Sequence, residues 1–158
     1  MRHVAAVVGV IVGVAVGHMS VPSFGVAGLQ SGSPIRTHRV SEMKWGPCGA
    51  GSPGCAQVSL VRNPRELGFF VSRTKTSPEF HVNPHLHSTD ECVVVISGGP
   101  IHIGIGDRFD SNVPSAEAFY PGDFYCISAG VHHFAWVEQE TVIQVQGVGP
   151  FLRTDVLP

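Results

Sequence analysis

Short runs of apolar residues alternate with turn-forming residues along most of the chain. From Ala56 onward, runs of four to nine residues rich in Val, Ile and Phe are separated by Gly, Pro, Asn and Asp. Runs of this length between turn residues are typical of β-strands. The predicted strands are AQVSLV, LGFFVSRTK, EFHV, ECVVVIS, IHIGIG, DFYCIS, HHFAWV and TVIQVQGV.

The spacing of these runs predicts an all-β domain. Short strands with a turn after each favour a β-sandwich or a β-barrel. Beyond residue 30, no apolar pattern with the helical period extends far enough to predict a helix. The length of 158 residues is enough for one ordinary domain and short for two.

The first 28 residues have a different pattern. A basic start, MRH, precedes the apolar run VAAVVGVIVGVAVG, and the small residues GVAG follow. This layout is that of a secretory signal peptide with cleavage near Ala27 or Gly28. We therefore predict a signal peptide over 1–28, a linker over 29–39 and one domain over 40–158, in the periplasm or outside the cell. A retained membrane anchor is the alternative, because residues 4–29 carry no formal charge.

The content and distribution of charged residues limit the kinds of molecule that the chain is expected to bind. Asp, Glu, Lys and Arg make up only 14% of the residues, and the formal net charge is −2. The basic residues are scattered and form no stripe. The chain therefore lacks the electrostatic pattern of a nucleic-acid-binding protein.

Export would place the four cysteines in an oxidising compartment. Cys48 and Cys55 flank the flexible stretch GAGSPG, so we predict a disulfide between them, with two free thiols as the alternative. Cys92 and Cys126 lie in apolar strand-like runs. We expect these two to be small residues of the core.

A candidate metal site lies in the stretch PHLHSTDE. Residues two apart on a strand share a face, so His85 and His87 would project together. Glu91 would begin the next strand, on the same face as Val93 and Val95. A carboxylate in an apolar row needs a partner, and an ion bound by the two histidines would provide one. The alternative is a pair of surface histidines.

The same stretch resembles the first motif of the cupin family. The matching pattern is His85-x-His87-x₃-Glu91-x₆-Gly98. The resemblance covers about residues 40–152, and the chain is similar to small exported bacterial single-domain cupins.

A second stretch, PGDFYCISAGVHH, resembles the second cupin motif. Gly122 and Asp123 open it, Gly130 is the turn glycine, and His133 falls at the ligand position. Ser128 replaces the usual proline of the turn.

The resemblance implies a cupin jelly-roll β-barrel with one metal ion. The implied ligands are His85, His87, Glu91 and His133, and such a set suits a divalent transition ion. Fe(II) is our first choice, with Mn, Zn, Ni and Cu as alternatives. The function implied is an oxygenase acting on a small phenolic or enol/diketone substrate that chelates the ion. The alternative is a non-catalytic cupin that binds a small molecule or a metal.

The doublet His132–His133 contains one ligand at most, because adjacent strand residues face opposite ways. His132 shares a face with Phe134 and Trp136, so it would be the ligand if these bulky apolar residues faced inward. The cupin spacing selects His133 instead. Phe134 and Trp136 would then lie on the outer face and need cover. We expect a homodimer to cover them, with the segment 43–45 as the alternative.

The other candidate residues are weaker. His81 and His102 are expected on the outer face. Gln144 and Gln146 share a face, and one of them is a candidate pocket residue, with hydrogen bonding inside the sheet as the alternative. Tyr125 is a further candidate for the pocket.

Overall fold

The computed structural model describes residues 35–49 and 52–157. The regular elements are a 3₁₀-helix, η1, and eleven β-strands. No helix in the described ranges is long and apolar enough to span a membrane. The elements are η1 (Val40–Glu42), β1 (Gly46–Pro47), β2 (Cys55–Val61), β3 (Gly68–Thr76), β4 (His81–His87), β5 (Glu91–Ser97), β6 (Ile101–Ile105), β7 (Glu117–Phe119), β8 (Phe124–Ile127), β9 (His133–Val137), β10 (Thr141–Gly149) and β11 (Arg153–Asp155).

The strands form two sheets in which neighbouring strands are antiparallel. The six-stranded sheet has the order β1-β2-β3-β10-β5-β8, and the five-stranded sheet has the order β11-β4-β9-β6-β7. All eight predicted strands are present, so the all-β jelly-roll prediction is confirmed. The short strands β1, β7 and β11 were not predicted. β4 is longer than the run EFHV, because it continues through His85 and His87.

The core consists of apolar side chains from the inner faces of both sheets. Alternate residues are buried in several strands, as in Val93 and Val95 of β5 and Ile143 and Val145 of β10. This period of two follows from the pleat of a strand. The same inner rows end in polar residues near one end of β4, β5 and β9, and those residues form the site described below.

The backbone conformation at position 98 of the first motif explains why this residue is glycine. Its φ of +78° is one that glycine adopts easily and other residues rarely do. A side chain there would also collide with the backbone of Glu140 and Thr141.

The predicted signal peptide, residues 1–28, and the first part of the predicted linker lie outside the described residues.

All four cysteines are paired. The predicted disulfide between Cys48 and Cys55 is present in the structure. The expectation for Cys92 and Cys126 was wrong, because they form a second disulfide across the β5–β8 pair. They lie on the face of β5 and β8 opposite the buried Val93, and Cys126 is exposed.

The outer face of the five-stranded sheet is covered within the chain. Phe109, in the loop after β6, packs on Phe134 and Trp136 with ring centroids 5.4 and 6.0 Å apart. Phe134 is only 1% exposed. Gly104 lies opposite Phe134, and a side chain there would collide with its ring. The alternative cover by residues 43–45 was wrong, because Trp45 lies near Lys75 of the other sheet.

The homodimer was expected because Phe134 and Trp136 would otherwise be exposed on the outer face. The two aromatic side chains that needed cover already have it from Phe109. The homodimer itself stays a prediction.

Candidate metal centre

Three histidine side chains converge on the inner face of the five-stranded sheet. His85 and His87 come from β4, and His133 from β9, where it lies directly opposite His85. Their ring centroids are 4.3–5.4 Å apart. One nitrogen from each ring lies within 4.8 Å of the others.

Glu91 approaches this cluster from the other sheet. It begins β5 and heads the inner row that continues with Val93 and Val95. Its Oε2 lies 3.4 Å from Nε2 of His133 and 3.7 Å from Nε2 of His87. The four residues that the cupin motifs implied as ligands are therefore in one place.

Backbone carbonyls orient two of the rings. Nδ1–H of His85 donates to the carbonyl oxygen of Asn83 at 2.8 Å. Nδ1–H of His133 donates to the carbonyl oxygen of Val131 at 2.9 Å. These bonds leave Nε2 of each neutral ring as the free lone pair. Ligating histidines in metal sites are held in the same way.

The third ring is held by packing. His87 stacks on Phe151 with a centroid distance of 4.0 Å and an interplanar angle of 19°. Phe151 follows β10, and the chain there is fastened to the end of β4 by Ser88. The backbone N–H of Ser88 donates to the carbonyl of Leu152, and the N–H of Leu152 donates to Oγ of Ser88.

The turn before β9 is tied to the end of β4. The N–H of Gly130 donates to the carbonyl of His87, and the N–H of Ala129 donates to Oδ1 of Asp90. Gly130 has a φ of +76°, which glycine allows. The second motif therefore delivers His133 to the histidines of the first.

The histidines of β4 prefer the neutral form. Burial, together with the smaller effect of the charge of His133, lowers the pKa of His85 from 6.5 to about 4. Burial also lowers the pKa of His87, more than the charge of Glu91 raises it. Arg153 adds to the lowering in both cases. At neutral pH both rings can offer lone pairs.

Glu91 prefers the ionised form. Burial alone would raise its pKa, but the contact with His133 and the positive charges that His87 and His133 carry when protonated outweigh burial and lower it. An ionised carboxylate next to the neutral imidazoles of β4 is the protonation state that a cation needs, because metal ligands must be deprotonated.

The spacing of these atoms fits one ion. Nitrogen and oxygen ligands about 2.0–2.2 Å from a transition ion stand roughly 3–4 Å from each other. The separations of 3.4 and 3.7 Å between Glu91 and two imidazole nitrogens fall in this range. The three histidines could therefore bind a divalent metal, with Glu91 as a further donor.

A cavity of about 580 Å³ lies against the cluster. Its volume falls within the range of about 300–1,000 Å³ found for small-molecule sites. His85, His87 and Glu91 line it. Its walls also include apolar residues, among them Phe70, Val145 and Phe151, and the polar residues Gln57, Ser72 and Thr74.

Three other histidines, His81, His102 and His132, lie away from the cluster. Nδ1 of His132 is 2.5 Å from Oδ1 of Asp107. His102 stacks on Trp136 with centroids 4.8 Å apart. His81 is exposed and lies opposite Trp136 in the β4–β9 pair. His81 and His102 therefore lie on the outer face as the sequence predicted, and His133 is the inner residue of its doublet as the cupin spacing implied.

The structure does not bring Gln144 and Gln146 to this cavity. They alternate with the buried Ile143 and Val145, so they lie on the opposite face of β10. Nε2 of Gln144 donates to Oε1 of Gln146 at 3.1 Å. They therefore make the hydrogen bond within the sheet that was the alternative interpretation.

Tyr125 lies on the inner face but lines a second cavity of about 250 Å³. It is paired with Val93 and packs on Phe119 at 4.4 Å. Burial raises the pKa of its hydroxyl well above the usual value, and the negative charge of Glu91 adds to this. Tyr125 is thus a neutral phenol near Glu91.

Sequence reasoning missed the charged residues at the larger cavity. Arg153 of β11 lies opposite His87, and Asp155 lies opposite His85. Nη1 of Arg153 donates to Oγ of Ser52, in the loop closed by Cys48 and Cys55. No sequence signal identifies this arrangement, because β11 is only three residues long and follows the end of the recognised motifs.

The comparisons with known proteins agree with the fold. No family model matches the sequence, and no curated protein matches it significantly. Solved structures are similar at low identity. A polyketide cyclase from Streptomyces resistomycificus has 17% identity and a TM-score of 0.61, over 78% of this chain and 87% of that chain.

Two further structures are similar over comparable lengths. An acetylacetone dioxygenase from Acinetobacter johnsonii has 14% identity and a TM-score of 0.58, over 77% of this chain and 79% of that chain. A cupin-2 domain from Rhodospirillum rubrum has 14% identity and a TM-score of 0.55, over 78% of this chain and 83% of that chain. The two-sheet barrel, the motif residues at its inner face and these similarities together identify the fold of this chain as that of the cupin superfamily.

Proposed function

We propose that the protein is a metal-dependent cupin enzyme that uses dioxygen to cleave a small chelating substrate. The proposed ligands are His85, His87, Glu91 and His133. The observation that carries the proposal is the convergence of three imidazoles and a carboxylate beside a cavity of about 580 Å³. A divalent transition ion held there supplies Lewis acidity and, when it is Fe(II), redox chemistry with dioxygen.

The position of the cavity favours a catalytic site over a structural one. His85, His87 and Glu91 all line it, so a small molecule in the cavity would contact the ligand cluster directly. A structural metal site is closed on all sides by protein ligands, whereas a catalytic site keeps a position open.

The residues around the cluster have separate tasks in this proposal. Asn83 and Val131 fix His85 and His133 through their carbonyl groups, so these rings do not have to reorient when a ligand binds. Phe151 packs on the face of His87. Together they keep the site preorganised, which lowers the cost of stabilising developing charge.

The similar solved structures support a chelating oxygen ligand. One is an acetylacetone dioxygenase and another a polyketide cyclase. Acetylacetone is a 1,3-diketone whose enolate presents two oxygen atoms to one ion. A diketone or a catechol is therefore the class of substrate that we propose to test first.

The direct test is oxygen uptake by protein reconstituted with Fe(II), with acetylacetone and catechol as substrates. We expect uptake that depends on the substrate and that is lost in His133→Ala. The matched control is His132→Ala, because this neighbouring side chain pairs with Asp107 instead. Metal and ligand binding without any turnover would contradict the oxygenase and favour the non-catalytic binder.

We also propose that the protein works in an oxidising compartment. All four cysteines are in disulfides, Cys48–Cys55 and Cys92–Cys126. Disulfides persist in exported proteins and are rare in the reducing cytosol. The pairing supports the export that the first 28 residues predict.

A further inference from the structure

Arg153 places a positive charge at the wall of the larger cavity. In the pairing of β11 with β4, Arg153 is directly opposite His87. Both residues line the cavity. The side chain of Arg153 is 25% exposed, so it is neither fully solvated nor sealed in the core.

Arg153 has donors left for a ligand. Its Nε and Nη2 contact Oδ1 of Asp155 at 2.6 and 2.5 Å, and its Nη1 donates to Oγ of Ser52 at 3.0 Å. A guanidinium has five N–H groups, so two remain. Asp155 is 60% exposed, and an ion pair with so exposed a partner is well screened by water.

Arg65, an exposed residue, is a second arginine that lines the same cavity. Its backbone N–H donates to Oδ1 of Asn63, and both residues line the cavity. Within residues 35–49 and 52–157, the guanidinium of Arg65 has no hydrogen-bond or ion-pair partner. The adjacent Pro64 is fixed, because its carbonyl accepts the N–H of Phe151 at 2.8 Å.

Hydroxyl groups of β3 face the same space. Ser72 and Thr74 line the cavity, and their hydroxyls have no hydrogen-bond partner in the described part of the chain. Ser72 is only 4% exposed. These hydroxyls are therefore available to water or to a ligand in the cavity.

The charges of the cavity then favour an anion. Arg65 and Arg153 are formally balanced by Glu91 and Asp155. A divalent ion at the histidines therefore leaves the cavity positive.

We propose that the cavity selects a substrate that carries a carboxylate in addition to the oxygen atoms that chelate the ion. Arg153 and Arg65 bind the carboxylate, and Ser72 and Thr74 contact oxygen atoms along the substrate. This inference rests on the proposed function, since it specifies the substrate class of the same site.

Two probes that differ by one carboxylate provide the test. Catechol and 3,4-dihydroxybenzoate share the chelating pair of hydroxyls, and only the second carries the acid. Their binding to Fe(II)-loaded protein is measured by calorimetry without oxygen. We expect 3,4-dihydroxybenzoate to bind at least about tenfold more tightly, as a charge-assisted hydrogen bond allows.

The arginine variants identify the source of this preference. Arg65→Gln and Arg153→Gln should each reduce the affinity for 3,4-dihydroxybenzoate several-fold and leave catechol unchanged. Arg108→Gln is the control, because Arg108 is exposed and does not line the cavity. If Arg153→Gln does not fold or load metal, Arg65→Gln decides the matter, since its side chain makes no contact that the fold needs.

The outcomes separate this inference from the proposed function. Equal affinity for the two probes, or a preference unchanged in Arg65→Gln, overturns the carboxylate pocket and leaves the chelating substrate in place. Failure of both probes to bind overturns the chelating substrate as well.

Discussion

Oε2 of Glu91 lies 3.4 Å from Nε2 of His133, although the two residues come from different sheets. Their contact requires both sheets to be packed in the native arrangement. An ion bound by both residues would therefore bind the folded protein far better than the unfolded chain. A ligand that binds only the folded state raises its stability.

Replacement of Glu91 tests this contribution. Glu91→Gln keeps the size of the side chain and removes the charge, so we expect metal affinity to fall by at least about tenfold, as for other groups that support a metal. Competition with a coloured chelator measures the affinity. Glu117→Gln is the control, because Glu117 is exposed on β7 and does not line the larger cavity. An affinity unchanged in Glu91→Gln would remove Glu91 from the site.

The metal-free protein should lose stability as the pH falls from 6.5 to about 4. The folded state keeps His85 neutral down to about 4, whereas the unfolded chain binds a proton from 6.5 downward. The unfolded state binds more protons in this window, so the free energy of unfolding decreases with decreasing pH. Well above pH 6.5 His85 is neutral in both states, so it adds no pH dependence to the free energy of unfolding.

The free energy of unfolding is expected to fall by about 3 kcal/mol in total because of His85. The lowered pKa of His87 acts in the same direction. Urea unfolding at pH 7.5 and pH 4.5 measures the loss, and His85→Gln should reduce the difference between the two values. If the free energy of unfolding changed by the same amount between the two pH values in wild type and in His85→Gln, His85 would not be the buried neutral group inferred from the structure.

Both disulfides should be present in protein isolated from an oxidising compartment. The Cys92–Cys126 bond closes a sequence separation of 34 residues, and the chain-entropy model gives it about 3–4 kcal/mol. The Cys48–Cys55 bond spans seven residues and is expected to contribute about 2 kcal/mol. Peptide mapping without reduction identifies the pairs. Alkylatable thiols at all four positions would contradict the pairing.

The cover provided by Phe109 predicts a stability effect. Phe109→Ala would uncover Phe134 and Trp136, so we expect a loss of about 1–3 kcal/mol, below that of a fully buried Phe, and stronger self-association. Phe124→Ala is the control, because Phe124 is 58% exposed on the other sheet. Thermal unfolding and light scattering measure the two effects. Equal losses in both variants would argue against a specific cover.

The strands could be predicted because each is a short apolar run between turn residues. The sequence left open whether Gln144 or Gln146 enters the pocket, and the structure decides it, because both alternate with the buried Ile143 and Val145 of β10. Parity allowed only one ligand in the doublet His132–His133, and the spacing of the second cupin motif was needed to select His133. The local pattern alone was not sufficient here, because Phe134 on the opposite face is buried too.

The features that could not be predicted depend on contacts between distant segments. Cys92 and Cys126 looked like core residues because their strands are apolar on both faces, and only the β5–β8 register brings them together. Phe109 lies in a loop without any periodic pattern. Arg153 reaches the cavity because β11 pairs with β4, and three residues are too few for a strand signal.

The most direct test of the metal centre is the metal content of wild type, His133→Ala and His132→Ala, each purified without added metal and analysed for all first-row transition elements. We expect about one ion per chain in wild type and in His132→Ala, and almost none in His133→Ala, because His133 points at His85 and His87 whereas His132 points at Asp107. Circular dichroism confirms that all three are folded. Metal retained in His133→Ala, or lost in His132→Ala alone, would contradict the site.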